Sequence, residues 1–424
     1  MRVDLPRMIP IRQNLPHSDP IDICATVRNE LGQKLAEQIK PESRIAIGVG
    51  SRGISNLQQV VSATVDWLKD RGAIPFIVPA MGSHGGATPD GQARVLADYG
   101  VTEKLTGAPI RPSMEVKLIG QTDDGVDVYF STEALSADGI ILINRVKPHT
   151  DFSGGIGSGL LKMISIGLGK QMGANACHTA FVLRGHEQVI RKVANFNLQN
   201  TPILGGIALL EDPVHQTARI AVLANHEIES GEEVLFSKAR QLMPSLPFED
   251  IDLLIVDHIG KNISGAGMDP NIIGRSVYGY TSQGPAVSSL SPVRVRRIFV
   301  RDLTPESHGN AVGIGLADLT TARLVRAMDR QAMYVNALTS LATIIAKTPI
   351  YFETDHEAIT WGLASLGLPA TCAARIMRIS STLALEVLQV SENFSELMRT
   401  KDEITTLGMP LEMQFDSDQN LMPF

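Results

Sequence analysis

Short runs of β-branched and aliphatic residues alternate with longer amphipathic segments along most of the chain. A strand is predicted at residues 44–49, followed by a helix at 56–70. A second strand is predicted at 74–78, followed by a helix at 89–99. Parallel neighbouring strands need a helical crossover between them, so this alternation is typical of a parallel sheet covered by helices. The sequence therefore predicts an α/β fold.

The alternation starts afresh near residue 250, after a turn-rich stretch at 244–249. Since 424 residues are two to three times the length of a typical single domain, we expect two domains. We predict two Rossmann-like α/β domains, at residues 1–245 and 246–424, with an active-site cleft between them. The other predicted strands are 139–146, 202–210, 217–224, 251–257, 293–302 and 349–353; helices are expected at 317–333 and 358–366, and a loop leading into a helix at 151–173.

Composition excludes several classes of protein. The chain is 44% hydrophobic and 20% charged, with a net charge of −7, so it lacks the basic surplus of a nucleic-acid binder. Its three cysteines, Cys24, Cys177 and Cys372, are far apart, which argues against a disulfide framework and fits a reducing cytosol. No stretch is apolar over the length needed to span a bilayer. We expect a cytoplasmic protein without nucleic-acid or membrane partners.

Polar motifs follow three of the predicted strands. Gly50-Ser51-Arg52-Gly53 follows the first, and Arg52 could bind a carboxylate or phosphate or be an ordinary surface arginine. His84, between glycines, follows the second strand, and His149 in Lys147-Pro148-His149 follows the third. Because parallel strands end at one edge of a sheet, both imidazoles are candidates for an acid/base pair, with structural hydrogen bonding as the alternative.

Residues 152–162, FSGGIGSGLLK, form a glycine-rich segment whose N–H groups could approach a phosphate closely. The segment lacks the Lys-Ser/Thr pair of a Walker motif, and it follows a loop rather than a strand, unlike a dinucleotide fingerprint. A mobile surface loop remains the alternative interpretation.

Taken together, SRG (51–53), GSHGGATPDGQ (82–92), KPHTDFSGG (147–155), Lys162 and His178 resemble the nickel-pincer-nucleotide-dependent lactate racemase family. The resemblance is clearest over residues 40–180. It implies a pyridinium-3,5-bisthiocarboxylic acid mononucleotide (the nickel-pincer nucleotide) tethered to Lys162, Ni(II) bound by His178, and proton transfer by His84 and His149. Cofactor contacts are expected from Ser51, Arg52, Ser153, Gly154, Gly155 and Lys261.

The chain also departs from the family pattern. The acidic residue usual before the Thr-Arg pair is missing, since the chain has Val49-Gly50 before Ser51-Arg52. Lys162 lies several residues farther beyond the Phe-Ser-Gly-Gly stretch than the family's lysine, which leaves Lys170 as an alternative tether. Residues 260–270 replace the usual substrate-contacting segment. We therefore expect a relative that acts on a different 2-hydroxy acid from lactate.

The chemistry of nickel is compatible with this reading. Ni(II) favours square-planar geometry with soft donors, and the chain has no cysteine cluster to supply them, whereas a sulfur-bearing cofactor and one imidazole would. Inverting a hydroxyl-bearing carbon through hydride transfer to a pyridinium needs a base on each side for the hydroxyl proton. We predict an isomerase, a racemase or epimerase, whose partners are its 2-hydroxy acid substrate and the cofactor-biosynthesis proteins.

Two other functions remain open. The first is an oxidoreductase or phosphoryl-transfer enzyme that uses a dissociable nucleotide at the glycine-rich segment, and the second is a non-catalytic small-molecule-binding protein. Lys261 and Arg275 could each steer a substrate carboxylate or a cofactor phosphate, or be a solvated charge, which is the favoured alternative for Arg275. Packing is expected of Cys177. His186 lies eight residues after His178, a poor fit to one helix face, so it is not expected to be a second metal ligand.

Overall fold

A computed structural model describes residues 3–51, 53–150, 152–277 and 292–424. The chain divides into two compact units. The central unit is His17–Met243, and the split unit combines Met1–Pro16 with Pro244–Phe424. The structure thus differs from the expected first domain of residues 1–245, because the first sixteen residues pack with the second half of the chain.

The strands are β1 (Met8–Gln13), β2 (Arg44–Val49), β3 (Ile74–Pro79), β4 (Val116–Gln121), β5 (Asp127–Ser131), β6 (Gly139–Arg145), β7 (Ile203–Glu211), β8 (Thr217–Ala224), β9 (Asp250–Ile259), β10 (Arg294–Leu303), β11 (Leu319–Thr321), β12 (Ile350–Phe352), β13 (Ile376–Ile379), β14 (Val387–Ser391) and β15 (Ile404–Thr406). The α-helices are α1 (Ile23–Lys34), α2 (Leu57–Lys69), α3 (Pro89–Asp98), α4 (Glu103–Thr106), α5 (Thr132–Leu135), α6 (Leu160–Lys162), α7 (Lys170–Arg184), α8 (His186–Asn200), α9 (Ile228–Leu242), α10 (Pro270–Ile273), α11 (Ala322–Ala327), α12 (Arg330–Thr339), α13 (Asp355–Ala364) and α14 (Ser395–Met398). None of these described helices has both the length and the apolar character needed to cross a membrane.

The central unit is built on a sheet with the strand order β3-β2-β6-β7-β8. Strands β3, β2, β6 and β7 are parallel, and β8 is antiparallel to β7. Both faces are covered, since Ala46 of β2 packs in one apolar cluster while Ile45 and Ile47 pack in another. This two-sided burial explains why these strands are almost continuously apolar.

In the split unit, the described strands form a sheet in the order β12-β11-β10-β9-β13-β14-β1-β15. The strands from β12 to β13 are parallel, and the last three are antiparallel to their neighbours. Strand β1 lies between β14 and β15, which explains why the start of the chain belongs to this unit.

Buried ion pairs join three strands of this sheet. Asp257 of β9 accepts hydrogen bonds from both Nε and Nη2 of Arg378 on β13, at 2.9 and 3.0 Å. Arg301 of β10 contacts Asp257 at 3.0 Å and Asp355 at 2.7 Å. Asp355 is fully buried and also accepts hydrogen bonds from Arg323 Nη2 and the Leu421 N–H. The carboxylates and guanidinium groups compensate one another, as buried charges must.

The predicted α/β fold is confirmed. The helix expected at 317–333 is wrong, because this range contains β11, then α11, and the start of α12. The β-branched pair Thr320-Thr321 favours a strand, and Asp329 begins a new helix by accepting a hydrogen bond from the Ala332 N–H. The segment that begins at Leu411 packs on the sheet, where Leu411 forms a bridge to Met8.

Candidate functional site

Ser51, His84 and His149 each follow the carboxyl end of a strand, and these strands, β2, β3 and β6, are adjacent and parallel. Two of the three side chains are in contact, since Ser51 Oγ lies 2.5 Å from His84 Nδ1. The sheet edge therefore brings residues from separate motifs together, as parallel topology requires. Arg52, the predicted anion-binding residue, lies outside the described residues.

The turn that carries His84 is compact because two glycines let its backbone segments touch. Gly85 has φ +66°, and a Cβ there would lie 2.4 Å from the carbonyl carbon of Gly91. Thr88 then caps α3 by accepting a hydrogen bond from the Gly91 N–H at 3.1 Å, with Pro89 in the first helical turn. Gly85 and Gly91 of this motif thus have a local structural explanation.

Two fully buried polar side chains lie behind this turn. Gln92 Nε2 donates to the carbonyl oxygens of Gly82 at 2.8 Å and His84 at 3.4 Å, and its Oε1 accepts from Lys170 Nζ at 2.9 Å. Lys170 Nζ also donates to the Pro79 carbonyl at 2.5 Å. Burial lowers the pKa of Lys170 to about 7. For Lys170 to act as a tether, its amine would have to leave both acceptors.

His149 and Lys162 form the second contact between predicted site residues. Lys162 Nζ lies 2.5 Å from His149 Nε2, and both side chains are half-buried. The His149 ring stacks on Phe152 with centroids 4.5 Å apart, which restricts its orientation. Lys162 ends α6 and is followed by a π-helix at Met163–Gly167, a rare conformation that is frequent at functional sites.

Glu232 of α9 forms a hydrogen bond with α6, the short helix that carries Lys162. Its Oε2 accepts a hydrogen bond from the Leu161 N–H at 2.9 Å. Burial raises the pKa of the Glu232 carboxyl to about 7. A Cβ on Gly159 would lie 2.3 Å from Glu232 Oε1, so this glycine makes room for the carboxyl. Sequence reasoning missed Glu232, because nothing in an amphipathic helix marks one glutamate among several as buried.

Glu232→Gln should change how stability depends on pH. The folded protein keeps the Glu232 proton up to about pH 7, whereas the unfolded chain loses it at about pH 4.3, so the free energy of unfolding falls between these values as pH rises. The amide stays neutral and still accepts from the Leu161 N–H, so this fall, on the order of 3 kcal/mol, should disappear. Urea unfolding at several pH values, followed by NMR through the amides of the central unit, measures it separately from the split unit. Glu233, the next residue on the helix, is partly exposed, so Glu233→Gln should retain the wild-type dependence of stability on pH. The same pH dependence in wild type and Glu232→Gln would contradict the prediction.

The space beside the glycines of the glycine-rich segment is occupied by other atoms of the protein. The Gly155 N–H donates to Glu187 Oε2 at 3.0 Å, and a Cβ on Gly154 would lie 2.0 Å from that same oxygen. A Cβ on Gly157 would lie 2.3 Å from the Lys147 carbonyl oxygen. Phosphate binding by Ser153, Gly154 and Gly155 stays a prediction, and at Gly155 a phosphate would have to displace Glu187.

A column of stacked rings joins the segment of His149 to α7, which carries His178. Phe152 stacks on His186 at 5.0 Å, His186 on Phe181 at 4.3 Å, and Phe181 contacts His178 at 5.5 Å between centroids. His178 itself is half-buried. The sequence indicated no role for His186 near the site, since it begins the next helix and shares no helix face with His178.

Cys177, the neighbour of His178, faces the core as expected. It is fully buried, and burial raises the pKa of its thiol to about 12, so the sulfur stays protonated. Among the residues that the structure describes, no group of three or more His, Cys, Asp or Glu side chains is arranged to hold a metal ion.

Lys261 and Arg275 lie in the split unit. Lys261 Nζ donates to the Gly265 carbonyl at 2.8 Å, within its own loop, and Arg275 pairs with Asp318 at 2.8 Å. The predicted steering role of Lys261 stays a prediction, while Arg275 has a structural partner.

Residues 13–190 match the family model described as the lactate racemase N-terminal domain. This part of the chain is similar to that domain. The matched range contains Ser51, His84, His149, Lys162 and His178, the residues on which the resemblance depends. The resemblance predicted from the sequence is therefore confirmed, and Lys261 lies outside the matched range.

Two solved structures are similar to this chain. The lactate racemase apoprotein from Thermoanaerobacterium thermosaccharolyticum is 12% identical, with a TM-score of 0.49 over 89% of this chain and 99% of that one. A protein from Thermotoga maritima is also 12% identical, with a TM-score of 0.49 over 78% of this chain and 82% of its own. No curated protein matches the sequence.

Proposed function

We propose that this protein is an isomerase that racemises or epimerises a 2-hydroxy acid with a nickel-pincer nucleotide tethered to Lys162. The observation that carries the proposal is the contact of Lys162 Nζ with His149 Nε2, beside a second pair formed by Ser51 and His84. The contact places the lysine proposed as the tether beside one of the two proposed bases, and stacking on Phe152 orients the ring of that base.

The metal-ligating side chains at this site are compatible with a cofactor that supplies most of the nickel ligands itself. His178 is the single imidazole proposed for nickel, and no cluster of metal-ligating side chains accompanies it among the described residues. Nickel bound here would therefore take its other donors from the cofactor, whose sulfurs would supply the soft donors that Ni(II) favours. When bound, the cofactor supplies an electron-poor ring carbon that accepts a hydride from substrate.

The protein's own groups move the hydroxyl proton. We assign this transfer to Nε2 of His84 on one side of the substrate, because Ser51 Oγ holds the Nδ1 of that ring. We assign it to Nε2 of His149 on the other side. Lys162 would hold the cofactor as its tether, and His149 Nε2 beside it would be placed to accept the proton.

Intact mass and nickel content together distinguish the residue that tethers the cofactor from the residue that binds nickel. Protein co-expressed with the cofactor-biosynthesis proteins should carry extra covalent mass after denaturation and stoichiometric nickel. Lys162→Arg should lose the added mass, Lys170→Met should keep it, and His178→Ala should keep the mass but lose the nickel. Added mass that survives in Lys162→Arg, or nickel that is unaffected in His178→Ala, would refute the assignments.

The substrate is then identified by activity. Loaded protein should invert one member of a panel of 2-hydroxy acids and sugar acids without incorporating solvent deuterium at the inverted carbon, since the hydrogen moves as a hydride. Deuterium uptake at that carbon would indicate proton abstraction instead and would exclude the proposed mechanism.

A further inference from the structure

Lys170 occupies a position where both the burial and the backbone conformation are unfavourable for a lysine. The side chain is fully buried, and its backbone has φ +53°, in the left-handed region that non-glycine residues rarely adopt. Glycine would suit this backbone, and an apolar side chain would suit this environment. Strained conformations persist only where the surrounding structure imposes them, and they cluster at functional sites. The contacts of the amine supply the reason for the lysine.

The Lys170 amine determines how Gln92 is oriented. An amide side chain has an acceptor on one side and two donor hydrogens on the other. Because Lys170 Nζ donates to Oε1, Nε2 of Gln92 must face the Gly82 and His84 carbonyl oxygens. A flipped amide would set Oε1 against two carbonyl oxygens and leave their hydrogen bonds unmade in a buried place.

The segment before Lys170 contacts the same turn from a second direction. The Gly82 N–H donates to the Gly167 carbonyl at 3.0 Å. Lys170 Nζ also holds the Pro79 carbonyl, at the end of β3. The chain from Gly167 to Lys170 thus fixes both the strand exit and the turn that follows it. His84 is the residue in that turn whose side chain reaches Ser51.

We propose that Lys170 is a positioning residue which, through Gln92, fixes the turn that carries His84 and holds its imidazole against Ser51. The proposal rests on the proposed function only for the role of His84 in proton transfer. The positional claim itself concerns the protein without cofactor or substrate, so the two can fail separately.

The experiment follows the His84 imidazole directly. Nitrogen-15-labelled histidine side chains are observed by NMR, and His84→Gln assigns the His84 signals by their loss. In Lys170→Met, the His84 nitrogens should shift from the values of a single hydrogen-bonded tautomer towards the average of a solvent-exposed imidazole. Reaction of His84 with diethyl pyrocarbonate should become about fivefold faster, the factor that one net hydrogen bond supplies. His149 should keep its signals and its rate.

Two further variants keep the proposal falsifiable. Gln92→Leu breaks the same link while leaving Lys170 on the Pro79 carbonyl, so it should reproduce the His84 changes even if Lys170→Met fails to fold. Val193→Ala, a truncation of a buried side chain on α8, should lower stability without moving the His84 signals. Loss of stability in Lys170→Met and Gln92→Leu with unchanged His84 signals would show a purely structural role and overturn the proposal, whether or not nickel loading succeeds.

Discussion

His149→Gln should lower kcat of the cofactor-loaded protein by about 10²–10⁴-fold, the usual contribution of a positioned acid/base group. Glutamine is similar in size and polar, but it cannot accept the hydroxyl proton. His84→Gln should have an effect of the same order, because inversion needs one proton transfer on each side. The measurement is turnover together with nickel content and intact mass, both of which should stay at wild-type values.

His226→Gln provides the matched control. His226 is an exposed histidine of the same unit, and its replacement should leave kcat unchanged. Full activity in either His84→Gln or His149→Gln would refute the two-histidine mechanism, and loss of nickel along with activity would show that the histidine acts in cofactor binding instead.

Asp355→Asn should destabilise the split unit by about 3–5 kcal/mol, the range for breaking a buried ion pair by removing one partner. The carboxylate is fully buried between Arg301 and Arg323, each 2.7 Å away, so the substitution removes the negative charge that both guanidinium groups share and leaves only Asp257 for Arg301 and Asp302 for Arg323. Because an equilibrium unfolding curve mixes both units, hydrogen exchange of the β9 and β10 amides measures the loss locally.

Glu353→Gln is the control for this change. Glu353 pairs with Arg326 on the surface, with about two thirds of each side chain exposed, so its loss should cost less than about 1 kcal/mol. Equal effects of Asp355→Asn and Glu353→Gln would mean that the buried network contributes no more than a surface ion pair.

The distribution of apolar residues predicted the framework of the fold well, because most parallel strands here are buried on both faces and form apolar runs. β2, β3 and β6 are continuous apolar runs with turn residues after them, a local pattern that a sequence shows directly. β1 could not be assigned to the split unit in the same way. Its partners, β14 and β15, begin more than 370 residues later, and no local pattern encodes a pairing over that distance.

The candidate site was predictable where the chemistry lies in short motifs. Glycine-flanked His84, His149 after a strand, Lys162 and His178 all carry a local signal. Gln92, Lys170 and Glu232 act through buried contacts between segments far apart in the chain, and a buried lysine looks like a surface lysine in a sequence. The glycine-rich segment shows the converse, because glycines that suggest a phosphate site also permit close packing of Glu187 and Lys147.

The position of β1 has a consequence for biosynthesis. A nascent chain leaves the ribosome from its N-terminus, and the central unit has all its strands once residue 243 has emerged. The first strand must wait unpaired until residues 387–406 are made, carrying Met8, Ile9 and Ile11, which are buried only in the finished sheet. A chaperone that binds short apolar segments would find its target there during translation, before either neighbouring strand exists.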